Sequence, residues 1–172
     1  MKASPLLLAL AALALPPAAQ AAPAPIPTAV PATVTVTGED GRTLTLSAQD
    51  LDALPQASAV ISHEGKTYGF KGALLYEVLK KAGAPLDKEM RGAALSDVVI
   101  LTAADGYVVT LALSDLEPSI RPGKIILADA TAEGAPMDKD GPFRLVIDGD
   151  LKPARSERSV VSIEVRRLRG PH

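Results

Sequence analysis

The sequence contains no cysteine among its 172 residues. Disulfide bonds, thiolate metal ligands and thiol redox chemistry are therefore excluded, so packing alone must stabilise the fold. Histidine is scarce as well, because only His63 and the terminal His172 occur. Two histidines without a cysteine cannot supply the usual ligand set of a zinc site. These absences point away from disulfide-stabilised proteins and from metal centres held by thiolates or histidine clusters.

A long hydrophobic run is also missing. The apolar stretch at residues 6–15 follows Lys2 and is shorter than the ~20 residues that a membrane-spanning helix needs. The small residues of Ala19-Gln20-Ala21 fit a signal peptidase site. We therefore predict a signal peptide at residues 1–21, cleaved after Ala21, and a periplasmic or secreted protein. An uncleaved N-terminal membrane anchor is the alternative.

Neither sign of charge dominates the chain. Loss of the signal peptide removes only Lys2 from the 18 basic residues, which leaves 17 against 20 acidic ones. This balance argues against nucleic acid or an anionic membrane surface as a partner. Residues 144–169, however, hold seven basic and four acidic side chains. We interpret this region as an electropositive side of the protein, with an ordinary solvated surface as the alternative.

The prolines mark a boundary near the N-terminus. Residues 22–32 read APAPIPTAVPA, a pattern that blocks helices and central strands and favours extended polyproline II. We interpret this segment as a tether. Residues 33–169 are then predicted to form a single domain, because a mature chain of ~150 residues is the size of one ordinary domain.

The rest of the chain predicts many short strands and one main helix. Apolar residues alternate on both sides of an Asp-Gly turn at residues 40–41, which is typical of a β-hairpin. Ser47 is placed to cap a short helix. Apolar residues on one face at 74–82 predict the clearest helix, which stops at Gly83. Further strands are predicted at 59–62, 66–68, 98–101, 107–113, 125–128, 143–147 and 160–165, so the fold class is α+β with mixed β-sheets.

Two C-terminal segments carry most of the candidate chemistry. GPFRLVI at residues 141–147 precedes PARSERSVVSIEV at residues 153–165. We expect this pair to bring Arg144, Arg155 and Arg158 to one region. Because a guanidinium can make two parallel charge-assisted bonds to a phosphate or to a pterin carbonyl, the pair predicts an anion or pterin site. The alternative for Arg144 is an ion pair with Asp148 or Asp150.

The order of five segments resembles the molybdopterin-binding domain of the sulfite oxidase fold. They are YGFKGALLYEVLKKAG at residues 68–83, ADGYVVTLAL at 104–113, ILADATAEGAPM at 126–137, DGPFRLVI at 140–147 and PARSERSVVSIEV at 153–165. Each segment alone is a weak signal, but together they span nearly the whole mature chain in the right order. The resemblance implies an α+β fold of the sulfite oxidase type and a pterin or molybdopterin as ligand.

The resemblance also implies which residues hold that ligand. Arg144 and Asp140 match the positions of the arginine strand that contact the pterin. Arg155, Ser156 and Arg158 match the basic, hydroxyl and basic positions that cradle its phosphate. In the enzymes of the family a cysteine on an earlier loop ligates molybdenum, and this loop aligns near residues 62–64, which here read Ser-His-Glu. Since a serine hydroxyl is not a soft ligand, we expect a pterin-type ligand without protein-ligated molybdenum.

Three further residues are candidates for the lining of the site. Tyr107 can stack on a flat heterocycle, although a core tyrosine with a bonded hydroxyl fits the pattern equally well. Thr102 ends the preceding strand and is a polar candidate. His63 can coordinate or hydrogen-bond a ring, or be a partly exposed polar residue. Asp140 or Asp105 can accept two bonds from the 2-amino and N3 groups of a pterin, although Asp105 before a glycine also fits a turn.

These observations predict a non-catalytic, exported pterin-binding protein. By resemblance, its role is that of a sensor or regulator that reports a reduced pterin to a membrane-bound signalling partner. The first alternative is a molybdopterin-dependent oxidoreductase, or a subunit of one, in which the dithiolene of the cofactor supplies two sulfur ligands. The second alternative is an interaction domain that binds no small molecule.

Overall fold

The computed structural model describes residues 33–137 and 140–168. The predicted signal peptide and the predicted tether, together residues 1–32, lie outside the described residues, as does Arg169 at the end of the predicted domain. Within the described part of the chain, no helix combines the length and the apolar character needed to cross a membrane.

Nine strands form two sheets in this part of the chain. The first sheet contains, in spatial order, β2 (Thr43–Ser47), β1 (Thr33–Thr37), β9 (Val160–Arg167), β5 (Asp97–Ala103) and β6 (Val108–Ala112). The second sheet contains β3 (Gln56–His63), β4 (Lys66–Leu74), β7 (Ile125–Thr131) and β8 (Arg144–Ile147). Among the described strands, β1 and β9 pair in parallel and the other pairs are antiparallel. The first sheet is therefore mixed, as predicted.

Two α-helices begin and end where the sequence predicts. Helix α1 (Ala48–Asp52) starts with a capping box in which the Ser47 hydroxyl accepts from the backbone N–H of Asp50, and the Asp50 carboxylate accepts from the backbone N–H of Ser47. Helix α2 (Leu75–Lys81) ends just before Gly83, whose φ of +83° favours glycine. Short 3₁₀ helices occupy Asp87–Glu89, Gly92–Ser96, Leu113–Leu116 and Pro153–Arg155.

Strand β7 contributes buried side chains to both faces of the second sheet. Along β7, Ile125 and Leu127 belong to the main hydrophobic core, whereas Ile126 and Ala128 belong to a smaller cluster. This division follows from strand geometry, because successive side chains point to opposite faces. The main core also takes buried residues from the first sheet and from α2. The smaller cluster includes Phe70 of β4, and this residue extends into the candidate site described next.

Candidate functional site

A pocket with a volume of about 590 Å³ lies beside the smaller hydrophobic cluster. Its size falls within the roughly 300–1,000 Å³ that is usual for small-molecule sites. Four of its lining side chains carry rings, namely His63, Tyr68, Phe70 and Tyr107. Five are charged: Asp105, Asp140, Arg144, Glu157 and Arg158. The remaining lining residues are Ile61, Ala103, Pro153, Ala154 and Ser156. We call this cavity the Arg144 pocket.

Two β-hairpins bring the ring side chains to the Arg144 pocket. His63 and Tyr68 flank the turn between β3 and β4, and Tyr107 follows the turn between β5 and β6. The second turn depends on Gly106, because its φ of +86° is strained for other residues. Asp105 accepts a hydrogen bond of 2.9 Å from the backbone N–H of Tyr107. The structure thus gives Asp105 the predicted turn role and also places it in the lining.

The two C-terminal segments supply the charged side of the Arg144 pocket. The backbone N–H of Leu145 donates to the carbonyl of Glu157 at 2.8 Å, and that of Val160 donates to the carbonyl of Phe143 at 2.9 Å. A third bond of 3.1 Å joins the N–H of Ser159 to the carbonyl of Asp140. These bonds hold residues 140–145 against residues 157–160. Side chains that are distant in sequence therefore converge on one cavity.

Asp140 lies between two arginines of the Arg144 pocket. One of its carboxylate oxygens pairs with the guanidinium of Arg144, and the other lies 3.0 Å from Nε of Arg158. The guanidinium of Arg144 also stacks 4.9 Å from the ring centre of Phe70. Burial lowers the pKa of Arg144 below its ordinary value, and the Asp140 charge opposes this shift. The predicted alternative partners of Arg144, Asp148 and Asp150, are thus replaced by Asp140.

Glu157 is the residue that the sequence did not single out. Its side chain lines the Arg144 pocket, and only 3% of the residue is exposed. Burial raises the pKa of Glu157 from 4.5 to about 7; the nearby backbone N–H of Ala103 opposes this shift, and the negative charge of Asp105 adds to it. In the sequence Glu157 is one acidic residue in a basic stretch, where it is indistinguishable from a solvated partner of the neighbouring arginines. Its burial is visible only in the tertiary structure.

The buried floor of the Arg144 pocket has an aliphatic part, Ile61 and Ala103, and an aromatic and polar part of four residues, Phe70, Arg144, Ser156 and Glu157. Within the described residues, buried side-chain polar atoms without a hydrogen-bond partner occur at three of these four: Nε of Arg144, Oγ of Ser156 and both carboxylate oxygens of Glu157. Buried polar groups are normally paired, and leaving one unsatisfied costs about 1–3 kcal/mol. Because such groups are concentrated in this one cavity within the described residues, the Arg144 pocket is the candidate ligand site.

Exposed side chains form the rim of the Arg144 pocket. Tyr68 is 47% exposed and Tyr107 is 55% exposed, so the alternative of a core position for Tyr107 is wrong. The hydroxyl of Tyr107 donates to the carbonyl of Ala154 across the cavity edge at 3.3 Å. The side chain of His63 is 56% exposed, and that of Arg158 is 66% exposed. Flat rings therefore stand on opposite strands around the opening.

Two of the predicted site residues do not line the Arg144 pocket. Arg155 forms a two-pronged ion pair with Asp150, with nitrogen–oxygen distances of 3.0 and 2.6 Å. Thr102 alternates along β5 with Leu101 and Ala103, which are buried, so its side chain belongs to the opposite face of the strand. The structure brings together the other six predicted residues, which are His63, Tyr107, Asp140, Arg144, Ser156 and Arg158.

The charge of the Arg144 pocket differs from the electropositive surface that the sequence predicted. Three carboxyl groups and two guanidinium groups line it. Of the other basic residues in the C-terminal region, Arg166 pairs with Glu164, and Arg167 pairs with Asp97 and Glu39. Because Arg155 is also paired, the predicted phosphate cradle of two arginines around Ser156 is not assembled. The cavity is better matched to a polar ring than to a phosphate.

The donor set of the Arg144 pocket fits the pterin part of a molybdopterin and includes no thiolate for its metal. Rings, a guanidinium and a buried carboxyl suit a flat heterocycle with several hydrogen-bonding atoms. A thiolate is the soft protein ligand that the cysteine of the resembling enzymes offers to molybdenum, and the chain has no cysteine. Among residues 33–137 and 140–168, no three His, Asp or Glu residues are grouped so that they could hold a metal ion.

The architecture is α+β and of the sulfite oxidase type, as the order of the five sequence segments predicts. A solved structure with a similar fold is that of the sulfane dehydrogenase SoxCD from Paracoccus pantotrophus. The TM-score is 0.59 at 14% sequence identity, over 78% of this chain and 38% of that chain. At this identity the similarity shows the fold alone, and it spans well under half of the dehydrogenase chain. No protein-family model matches the sequence, and a comparison with curated proteins gives no match.

Proposed function

We propose that this chain is a pterin-binding protein whose ligand lies in the Arg144 pocket. The observation that carries the proposal is the buried floor, where a guanidinium nitrogen, a hydroxyl and a carboxyl group are all without protein partners. A pterin ring presents N–H donors and a carbonyl acceptor along one edge. It therefore has the groups that these three side chains require.

The shape of the Arg144 pocket supports a flat ligand. Tyr68 and Tyr107 line the rim and Phe70 lines the floor, so aromatic surface is available at two depths. Stacking on such side chains contributes about 0.5–1.5 kcal/mol beyond the burial of apolar area. The volume of about 590 Å³ accommodates a bicyclic or tricyclic pterin with room for a side chain at the rim.

The proposed role is that of a non-catalytic sensor or regulator. The lack of cysteine supports binding without a molybdenum centre ligated by a protein thiolate. The predicted signal peptide supports a periplasmic or secreted location, and the predicted tether would let the domain reach a membrane-bound signalling partner. Under this proposal, ligand exchange at the open rim is the event that the partner detects.

A second candidate function is that of a molybdopterin-dependent oxidoreductase or a subunit of one. The fold similarity to a sulfane dehydrogenase favours it. The same floor residues would then orient the pterin portion, and the cofactor would bring its own dithiolene sulfurs and redox chemistry. This candidate predicts stoichiometric molybdenum in the isolated protein.

The test begins with the exported protein purified from its native compartment. Molybdenum is measured by elemental analysis, and released pterin is measured by its fluorescence after oxidation. Pterin without molybdenum supports the binding protein, whereas stoichiometric molybdenum supports the oxidoreductase. If neither is found, the emptied protein is titrated with 6-methylpterin, and a folded protein that shows no binding at millimolar ligand contradicts both candidates.

A further inference from the structure

We infer that Glu157 selects the ligand of the Arg144 pocket by accepting two adjacent N–H donors, and that these donors are the 2-amino and N3 groups of a pterin. This inference rests on the proposed function and names the contact that gives the cavity its selectivity. The sequence resemblance assigned no role to Glu157. The burial and pairing of the carboxyl groups around the cavity distinguish Glu157 from the other two.

The three carboxyl groups of the Arg144 pocket differ in what they already bind. Asp140 is occupied by Arg144 and Arg158. Asp105 accepts from a backbone N–H in its own turn. Glu157, in contrast, is 3% exposed and has no hydrogen-bonded partner at either carboxylate oxygen, because the nearby backbone N–H of Ala103 donates to the carbonyl of Tyr107 at 2.9 Å. Of the three carboxyl groups, Glu157 is therefore the least exposed to water, and both of its oxygens are unused acceptors.

The floor of the cavity holds a third hydrogen-bonding group besides the two Glu157 oxygens. A carboxylate offers two acceptors side by side, and Nε of Arg144 adds an unpartnered donor on the same floor. One edge of a pterin reads 2-amino donor, N3–H donor and 4-oxo acceptor. The floor supplies two acceptors and one donor, which complement those three groups in number and kind. The Ser156 hydroxyl can donate or accept and so adapts to either edge atom.

This pattern discriminates against rings of the same shape. Lumazine differs from pterin by an oxygen in place of the 2-amino group, so an acceptor would face the Glu157 carboxylate. Such a mismatch leaves buried polar groups unpaired and repelling, a loss that we expect to lower affinity about 100-fold. A cavity that only stacks flat rings would bind both compounds equally.

Substitution of Glu157 by glutamine should reverse the preference for pterin over lumazine. The glutamine amide keeps the shape of the side chain but presents one acceptor and one donor. That arrangement matches the 2-oxo and N3–H groups of lumazine. We therefore expect Glu157→Gln to bind 6-methyllumazine more tightly than 6-methylpterin, the reverse of the wild-type order. The control is Glu133→Gln, which changes the same functional group at an exposed turn outside the cavity.

A second measurement uses the unaltered protein. Its ionisable neighbours in the cavity, besides the two rim tyrosines, are His63, Asp105, Asp140, Arg144 and Arg158. With a pKa of about 7, Glu157 is about half protonated near pH 7. Two N–H donors favour the ionised form, so 6-methylpterin should displace about half a proton per site at this pH. Calorimetry in buffers of different ionisation enthalpy measures that release, and Glu157→Gln should abolish it.

The experiment separates failure of the inference from failure of the proposed function. A reversed preference in Glu157→Gln, together with proton release by the wild type, is the expected result. If the wild type binds 6-methylpterin but the variant keeps the same preference, the role assigned to Glu157 is overturned and pterin binding stands. If the folded wild type binds neither compound, the proposed function is overturned, and the inference falls with it.

Discussion

Two cavities of similar size on this molecule differ in what lines them. The Arg144 pocket has a volume of about 590 Å³, and a second cleft has a volume of about 700 Å³. The second, which we call the Asp129 cleft, is lined by Ala48, Asp52, Asp129, Ala130, Gly134, Pro136, Met137, Gly141 and Pro142. These residues include no aromatic ring, and none carries an unpartnered buried side-chain polar atom. Volume alone therefore does not mark a binding site here.

The carboxyl groups of the two cavities also differ in their surroundings. Burial and the nearby Asp52 carboxyl raise the pKa of Asp129 above its ordinary value. Two acidic groups near one another explain that shift without a ligand. Glu157 is more deeply buried than Asp129, and it lines the same cavity as the rings and as Arg144, whose Nε is unpartnered. This contrast supports the proposed binding at the Arg144 pocket and gives no comparable support to the Asp129 cleft.

The largest expected effect that separates the two cavities follows from removal of Arg144. Arg144→Ala should lower affinity for 6-methylpterin about 10- to 100-fold, because a charged hydrogen-bond donor is lost. It should also reduce the free energy of unfolding by about 3 kcal/mol, since a buried ion pair is broken. Isothermal titration and urea denaturation measure the two changes.

Arg155→Ala is the matched control for this loss. It removes the same side chain from a more exposed ion pair outside the pocket, where the cost is about 0–1 kcal/mol. Its affinity for 6-methylpterin should stay close to that of the wild type. Equal losses of affinity in Arg144→Ala and Arg155→Ala would contradict this expectation and would support the phosphate cradle that the sequence resemblance implied.

The second effect is on the pH dependence of stability. The pKa of Glu157 is about 7 in the folded protein against an ordinary value of 4.5, so the folded state holds its proton to higher pH. Stability therefore falls as pH rises through this window, by up to about 3 kcal/mol. Glu157→Gln removes this loss and should stabilise the protein at pH 8 but not at pH 4.

Urea denaturation of wild type and Glu157→Gln at these two pH values checks the prediction. Glu133→Gln serves as the control, because that exposed carboxyl should leave the pH profile unchanged. A Glu157→Gln variant that follows the wild-type profile at both pH values would show that Glu157 is solvated, and the account of the floor would be wrong.

The third effect concerns the rim of the Arg144 pocket. Tyr107→Leu removes an aromatic face while keeping an apolar side chain, and it should weaken 6-methylpterin binding about 3- to 10-fold. Stability should change little, because the ring is 55% exposed. In Tyr76→Leu, a tyrosine bonded to Asp87 outside the pocket is lost, so stability should fall while affinity is kept. Fluorescence titration and thermal melting distinguish the two outcomes.

The smallest effect is expected in the Asp129 cleft. Asp129→Asn removes a carboxyl whose ionised form is disfavoured by burial and by Asp52. The variant should therefore melt at a slightly higher temperature at neutral pH, with unchanged affinity for 6-methylpterin. A marked loss of affinity would move the ligand site, or part of it, to this cleft.

The fold could be predicted from the sequence because its signals are local. Alternating apolar residues mark the strands, and Ser47 and Gly83 mark helix ends by their side-chain and backbone preferences. The order of five segments then predicted the sulfite oxidase type. These signals depend either on residues a few positions apart or on the order of segments along the chain. None of them requires knowledge of tertiary contacts.

The site could be predicted only in part, because its charges are set by tertiary pairing. The sequence pointed to Asp140, Arg144 and Arg158 from their place in the C-terminal segments. It also grouped Arg155 with them, although Asp150 holds that guanidinium. Glu157 was missed for the converse reason. Nothing in the run Arg-Ser-Glu-Arg shows that its one carboxylate is buried while the arginine after it is largely exposed.

The most direct test of the central claim is a crystal structure of the protein grown with 6-methylpterin. We predict that the ring lies in the Arg144 pocket, with its 2-amino and N3 groups within hydrogen-bond distance of the Glu157 carboxylate. We also predict that its 4-oxo group faces Nε of Arg144. A ring bound in the Asp129 cleft, or an Arg144 pocket without ligand at saturating 6-methylpterin, would contradict the account.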